Sequence, residues 1–372
     1  MASPDKLLYR IALTQINGVG DILSKMLLQA VGDEEAIFKS SRKSLLAIQG
    51  IASKLVDEIL NPKVLIRAEK ELAFIDKNNI STYFITDEDY PSRLKDCSDS
   101  PILFYFKGKA NLNAQKIISI VGTRNSTNYG NEFCNTFIQE LSSEVNDLLV
   151  VSGLAYGIDI NAHKAALKND MPTIGVLAHG LDRIYPHAHR QTAIEMLEKG
   201  GLLSDFPSNT EPDKFNFVRR NRIVAGLADA TIVVESSAKG GSLITADIAN
   251  SYCRDVFAVP GKTTDSKSIG CNNLIANHKG DLLASTQYFL QQMGWDKQSV
   301  RHANKPKQQE LFIELNNEEQ SIVNILSAQD SLHVDQLATH TQIPVYQLFP
   351  ILLNLELKGV IKNMPGNFYG IT

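Results

Sequence analysis

Cysteine is scarce in this chain of 372 residues: there are four, Cys97, Cys134, Cys253 and Cys271. They lie far apart and form no C-x-x-C pair, which excludes a zinc ribbon and a disulfide framework. No apolar run approaches the length that crosses a bilayer, and "MASPDKLLYRIALTQ" lacks the layout of a signal peptide. A reducing, cytoplasmic, soluble protein is expected, with no membrane contact. There is also no large excess of either charge: the formal net charge is −4. That excludes a surface coated in basic side chains, so any nucleic-acid site must be a local patch. No Ser/His/Asp or Cys/His order stands out. His187 and His189 in "YPHAHR" have no carboxylate or cysteine at ligand spacing, so no metal is expected.

What is present falls into zones. Residues 1–80 have helical periodicity throughout. Residues 82–296 alternate short apolar runs with helical stretches. Residues 297–310, "KQSVRHANKPKQQE", are polar and aperiodic and read as a linker. Residues 311–372 form a last small unit. In the second zone "KIISIVG", "LLVVSG", "TIGVLAHG", "GLLSDFP", "ATIVVES" and "DVFAVPG" are near-continuous apolar runs, as in strands covered on both faces. Helical patterns such as "NEFCNTFIQELSSEV" and "DINAHKAALKN" separate most of them. The fold class is therefore α/β, a Rossmann-like, doubly wound, mostly parallel sheet. Such sheets bind ligands at the C-terminal ends of their strands.

Three strand ends carry glycine-rich turns: "VGTRNSTNYG", "SGLAYGID" and "ESSAKGGSLITAD". The first is not G-x-G-x-x-G. Arg124 stands where a second glycine would admit a pyrophosphate, and an arginine there grips a phosphate from the side or forms a surface ion pair. "KGGSLIT" reads either as a phosphate cradle with Lys239 or as a glycine turn with a serine N-cap. "KFNFVRRNR", 214–222, packs four cations and two aromatics into nine residues. Basic groups take phosphates and an aromatic face stacks on an unpaired base; alternatively Phe215 and Phe217 are core and the arginines are solvated. A helix is expected from Ile223 to Ala228, which puts Arg219, Arg220 and Arg222 at or before its start, where the helix dipole disfavours cations. That placement asks for an anion. His163 reads as a helix residue bonded to the turn before it.

The flanking zones are less specific. "INGVGDILSKMLLQ", 16–29, has the apolar–x–Gly–x–Gly pattern of a helix-hairpin-helix, and "IQGIASKLVDEIL" is a degenerate second copy. With 11 basic against 10 acidic residues in 1–80, a protein-contact or structural role is as good a reading as DNA binding. The last unit reads as a winged helix: "EEQSIVNILSAQ", "HVDQLATHT" and "PVYQLFPILLNLELKG" as helices, then a hairpin, "VIKNMPGNFYGI". Its third helix carries only Glu356 and Lys358, and acids outnumber lysines in the unit, which opposes DNA binding there.

These blocks, in this order, resemble the DprA/Smf family of DNA-processing proteins. The resemblance covers nearly the whole chain and is strongest from "YPSRLKDCSDSPILFYFKG" through "GTRNST", "SGLAYGIDINAHKAAL", "GLDRIYP", "FNFVRRNRIVAGLADATIVVES", "KGGSLITA" and "VPG" to "SIGCNNLI". It implies a single-stranded DNA-binding protein that protects incoming DNA and loads the RecA recombinase in natural transformation and recombination. It also implies a homodimer through the Rossmann-like domain, no catalysis and no cofactor. Carried over by position, Gly122, Thr123 and Arg124 form a phosphate-binding turn. Lys214, Arg219, Arg220, Asn221 and Arg222 form a basic pocket, and Phe217 lies against a base. Gly153, Gly157, Gly240, Gly241 and Ser242 shape the floor. Tyr156 departs from the pattern, since many members have arginine there. The competing reading is a nucleotide or sugar-phosphate hydrolase on a similar fold, with Asp247 near the place where a catalytic glutamate would be sought.

Overall fold

The computed structural model describes residues 4–296, 315–329 and 331–372. The expected linker, 297–310, lies outside the described residues. Six helices fill 4–78. Twelve strands follow: β1 (Ser81–Phe84), β2 (Leu103–Gly108), β3 (Lys116–Val121), β4 (Leu148–Ser152), β5 (Thr173–Val176), β6 (Gly201–Ser204), β7 (Ala230–Val233), β8 (Asp255–Ala258), β9 (Asp281–Leu282), β10 (Leu332–His333), β11 (Ile361–Met364) and β12 (Phe368–Ile371). β1 to β9 make one sheet in the order β1-β2-β6-β5-β4-β3-β7-β8-β9. From β6 to β9 all pairings are parallel, while β2 runs antiparallel to both β1 and β6. The six apolar runs read from the sequence are β3 to β8.

Strand side chains alternate between faces, and the core divides accordingly. Ile117 and Val121 of β3 join one cluster with Ile223, Val224 and Ala246, whereas Ile118 and Ile120 join another with Phe137, Ile158 and Phe289. Ser119 is buried between them and exchanges a 2.8 Å hydrogen bond with Thr231 on the neighbouring strand. The N-terminal helices pack a third cluster on the antiparallel edge, through Phe84, Leu103 and Tyr105.

The helix over the arginines differs from the sequence expectation. It spans Lys214–Leu227 and starts where Asp213 accepts a 2.8 Å bond from the Phe215 amide. Arg219, Arg220 and Arg222 are therefore mid-helix, where arginine is a good former and its stem can be buried. The dipole conflict does not arise.

The winged helix has its own core, built from Ile322, Leu337, Leu348, Leu352 and Ile361. Its helices, Asn317–Ser327, Val334–Thr341 and Val345–Leu357, and a sheet in the order β10-β12-β11 agree with the sequence reading. It is docked on the N-terminal ends of β3, β7 and β8. Arg254 makes a two-pronged bond to Asp335 (2.8 and 3.1 Å), and Arg93 holds Asp229 (2.5 and 3.1 Å) beside His333. Among the described residues, no helix is long and apolar enough to cross a membrane.

Candidate nucleic-acid interface

The three glycine turns follow β3, β4 and β7, and these strands are neighbours in the order β4-β3-β7. β3 is where the sheet begins to be laid down in the opposite direction, a topological switch point that opens a crevice at strand C-termini. A cleft of about 570 Å³ occupies this place. Gly122, Thr123 and Arg124 line it from the first turn, Gly153 from the second, and Gly240, Gly241 and Ser242 from the third. The helix Lys214–Leu227 closes it with Lys214, Phe217, Arg220 and Asn221.

Two glycines set the geometry. Gly157 has φ +76°, and a Cβ on it would run into the Thr123 carbonyl oxygen. It is not itself in the lining. It lets the turn after β4 press on the turn that carries Arg124, and the next amide, of Ile158, donates to Thr123 O at 3.2 Å. Gly153 leaves room for the Arg220 guanidinium and the Asp159 carboxylate, both of which a Cβ would meet.

Arg220 and Asp159 form the floor, buried together. Burial lowers the Arg220 pKa from the usual guanidinium range while Asp159 opposes the shift. Burial raises that of Asp159 while Arg220 opposes it. Arg220 Nη1 donates to Val176 O at 2.7 Å, but its Nε meets no partner among the described residues. Above the floor, exposed Arg124 lies over the half-buried Phe217 ring, 5.0 Å from its centroid. This leaves Arg124 and Lys214 as the accessible cations, with one face of Phe217 held by a guanidinium. The helix Gly241–Ser251 points its N-terminus at the cleft. Gly240 is its N-cap and offers no side chain, so the orphan amides face outward. Ser242 is inside this helix rather than its cap, and its buried Oγ has no partner among the described residues.

Arg219 and Arg222 are not brought into the cleft. Two and five residues beyond Phe217, they point to the other side of the helix. Arg222 Nη2 bonds Asp205 at 2.6 Å and Asp21 at 2.8 Å; Arg219 reaches the same carboxylates at 3.2 and 3.4 Å. The anions waiting for these two arginines are protein carboxylates. Asp21 is also the first residue of the helix after the N-terminal glycine turn, and it accepts from the Ile102 amide. It thus ties the helical zone to the sheet.

The remaining candidates fall outside the cleft. Phe215 is 81% exposed, which removes it from the core. Lys239 is exposed and is not in the lining. Asp247 pairs with Lys279 on the surface at 2.9 Å, away from the cleft, so it gives the hydrolase reading no carboxylate. His163 is buried between Gly153 O and Thr173 Oγ1, at 2.5 and 2.7 Å, and burial lowers its pKa to about 4. His189 Nδ1 donates to Leu154 O at 2.8 Å. The sole His and carboxylate cluster at ligand distance among the described residues is Asp229, His333 and Asp335 at the winged-helix junction. Arg93 and Arg254 already neutralise its carboxylates, which disfavours a metal there.

Sequence reading missed two residues at the rim. Lys267 donates to Asn125 O at 2.5 Å and brings a further cation to the first turn; no motif marks it. Tyr185 lies 6.1 Å from Phe217, centroid to centroid. Its signal was the "GLDRIYP" block, which ends one strand away from the cleft in sequence.

Comparison with known proteins gives a consistent picture. Residues 81–294 match the family model of DNA recombination-mediator protein A, and residues 306–367 match that of the DprA winged helix domain. The chain is 30% identical to protein Smf of Synechocystis, over 97% of this chain and 98% of that one. The X-ray structure of DNA processing protein A from Streptococcus pneumoniae superposes with a TM-score of 0.61 at 32% identity, covering 76% of this chain and 96% of that one. A structure of DNA processing protein A from Helicobacter pylori, described for its single-stranded DNA binding mode, gives 0.51 at 30% identity, covering 57% and 94%.

Proposed function

The chain belongs to the DNA recombination-mediator protein A family, and from that premise we propose that the cleft at the switch point binds single-stranded DNA. The observation that carries the reading is the convergence of three glycine turns from adjacent strands on Arg124, Lys214 and Phe217. Turn amides and an N-terminus without a side-chain cap suit phosphate oxygens. A half-buried ring with a guanidinium on one face suits an unpaired base on the other. A closed duplex hides its base faces and offers only phosphates to a protein of net negative charge. The relative from Helicobacter pylori, described for single-stranded DNA binding, supports the same reading.

Membership of the family supports a wider role. In this reading the protein coats incoming single strands in the cytoplasm, hands them to the RecA recombinase during natural transformation and recombination, and works as a homodimer through the sheet domain. No catalytic step and no cofactor are part of it. In this reading neither the helical zone, packed on the antiparallel edge of the sheet, nor the winged helix, docked at the N-terminal strand ends, is the main DNA site.

Competition tests the binding. Unlabelled single strand should displace a labelled oligothymidine at much lower nucleotide concentration than blunt duplex does. Equal displacement would remove the stacking argument and return the glycine turns of residues 16–29 to first place. RecA loading has its own assay: the chain should speed RecA filament assembly on strands precoated with single-strand binding protein, and no acceleration would remove that part.

A further inference from the structure

Phe217 is not alone at the rim. Tyr185 stands 6.1 Å away with its plane tilted by 52°, and it is 48% exposed. Four residues along the same loop, His189 is buried with Nδ1 2.8 Å from Leu154 O. The ring of Tyr156, 50% exposed, stands edge-on to His189 at 4.8 Å. Gly157, the next residue, is the one pressed against the Arg124 turn. Phe217 thus carries Arg124 over its ring and Tyr185 at its side, and Tyr156 directly precedes the glycine that presses on the Arg124 turn. Each ring is anchored on one side and has exposed surface left.

The spacing decides how bases could use these rings. A base clamped between two rings needs parallel planes about 6.8 Å apart, twice the 3.4 Å repeat of stacked bases. Phe217 and Tyr185 are closer than that and steeply inclined. They cannot sandwich one base, so each has a separate face to offer. Apolar core duty does not explain either tyrosine, because half of each side chain is in water. Among the described residues, neither the Tyr156 nor the Tyr185 hydroxyl has a hydrogen-bond partner.

We propose that Tyr185 and Tyr156 are two further base platforms, so that the cleft seats at least three nucleotides of one strand, one per ring, around Arg124. The proposal rests on the single-strand reading above and deepens it. The loop 185–189 then acts as part of the DNA site, and Tyr156 supplies stacking at a position where a cation would supply charge.

Affinity for an oligothymidine series, from two to twelve nucleotides, tests this with the full chain. Tyr185→Ala and Tyr156→Ala should each weaken binding of the longer oligomers by about tenfold, within the range for loss of one stacked base. Binding of the shortest oligomer, which Phe217 and Arg124 can hold alone, should barely change. Tyr185→Phe and Tyr156→Phe should keep wild-type affinity, because the ring and not the hydroxyl is used. The salt dependence should be unchanged in all four, since no charge is removed. An abasic oligomer with the same number of phosphates separates stacking from a structural effect: the alanine variants should bind it like wild type. If they weaken the abasic oligomer equally, or bind the long oligothymidines as wild type does while Phe217→Ala does not, the platforms are refuted and the single-strand reading stands. If wild type fails to bind any oligothymidine, both readings fall.

Discussion

Arg222→Ala separates the two jobs that one arginine-rich helix performs. The Arg222 side chain is 8% exposed, Asp205 is 1% exposed and Asp21 13%. Burial disfavours the Arg222 charge, yet Asp205 and Asp21 outweigh it and hold its pKa above the usual range. Removing the arginine leaves a buried carboxylate without its main partner, which typically costs about 3–5 kcal/mol. Arg219, 3.2 Å from Asp205, remains as a partial substitute, so the lower end, about 3 kcal/mol, is expected. For a domain of this size that is a fall in melting temperature of roughly 6–12 °C. Asp21 sits on the helical zone, so the loosening should be felt there as well as in the sheet. The slope of log binding constant against log salt for an oligothymidine, measured below the new melting point, should match wild type. Replacing both sides of the contact, Arg222→Met with Asp205→Asn, should recover much of the loss, because no buried charge is then orphaned. Thermal melts by circular dichroism and salt titrations by fluorescence anisotropy give both readouts. An unchanged melting temperature with a slope reduced by about 0.7, one single-strand phosphate contact, would refute the reasoning and turn Arg222 toward DNA.

Other outcomes follow from the same geometry. Arg124→Ala should do the reverse of Arg222→Ala, lowering the slope by about 0.7 while leaving the melt alone, as the side chain is exposed. Phe217→Ala should cost roughly 1–3 kcal/mol of single-strand binding with no change in slope; aggregation of the variant would instead mark Phe217 as core. A chain ending near Lys305 should keep single-strand affinity within about tenfold, about 1.4 kcal/mol, because the winged helix docks at the opposite ends of the strands; light scattering would show whether any larger loss accompanies a change of oligomeric state. The winged-helix junction should also respond to pH. Asp96 lies against Asp335 beside Arg254 and Lys95, and burial followed by the Asp335 charge raises its pKa to about 7; Asp255 lies among His333, Asp281, Asp229 and Arg254, and burial raises its pKa to about 6. Both folded-state values exceed the ordinary 3.8, so the docked state binds extra protons, and its stability falls as pH rises through 6 to 7. Hydrogen exchange of residues 334–341, corrected for intrinsic rates, should show weaker protection at pH 8 than at pH 6, with Asp96→Asn flattening the difference; equal wild-type protection at both values would count against it.

The sheet was legible because its physics is local. Six apolar runs with glycine ends repeat a β-α rhythm, and all six became parallel strands. β1 and β2 carry no such signal: "STYF" is short and half exposed, and "LFYFKG" stands out only within a family block. The cleft was legible at its turns, since glycine after a buried strand has few uses. The arginine helix was half legible. Nothing in "FVRRNR" says that residues 219 and 222 turn one way and 217, 220 and 221 the other until the helix is known to begin at Lys214. Its start depends on Asp213, a single capping residue that the composition of the stretch conceals. The partners of Arg222 lie 17 and 201 residues away in sequence, and no motif joins them. The docking of the winged helix on Arg254 and Asp229 was invisible for the same reason.

Photo-crosslinking maps the contact between strand and protein. An oligothymidine carrying 5-iododeoxyuridine, irradiated with the full chain and digested, should leave its mass on peptides that contain Phe217, and on those with Tyr185 or Tyr156 for longer oligomers. Arg124→Ala with Lys214→Ala should abolish that yield at moderate salt. Crosslinks confined to residues 16–31 or to the helix Val345–Leu357, with the cleft unmarked, would contradict a single-strand site at the switch point of the sheet.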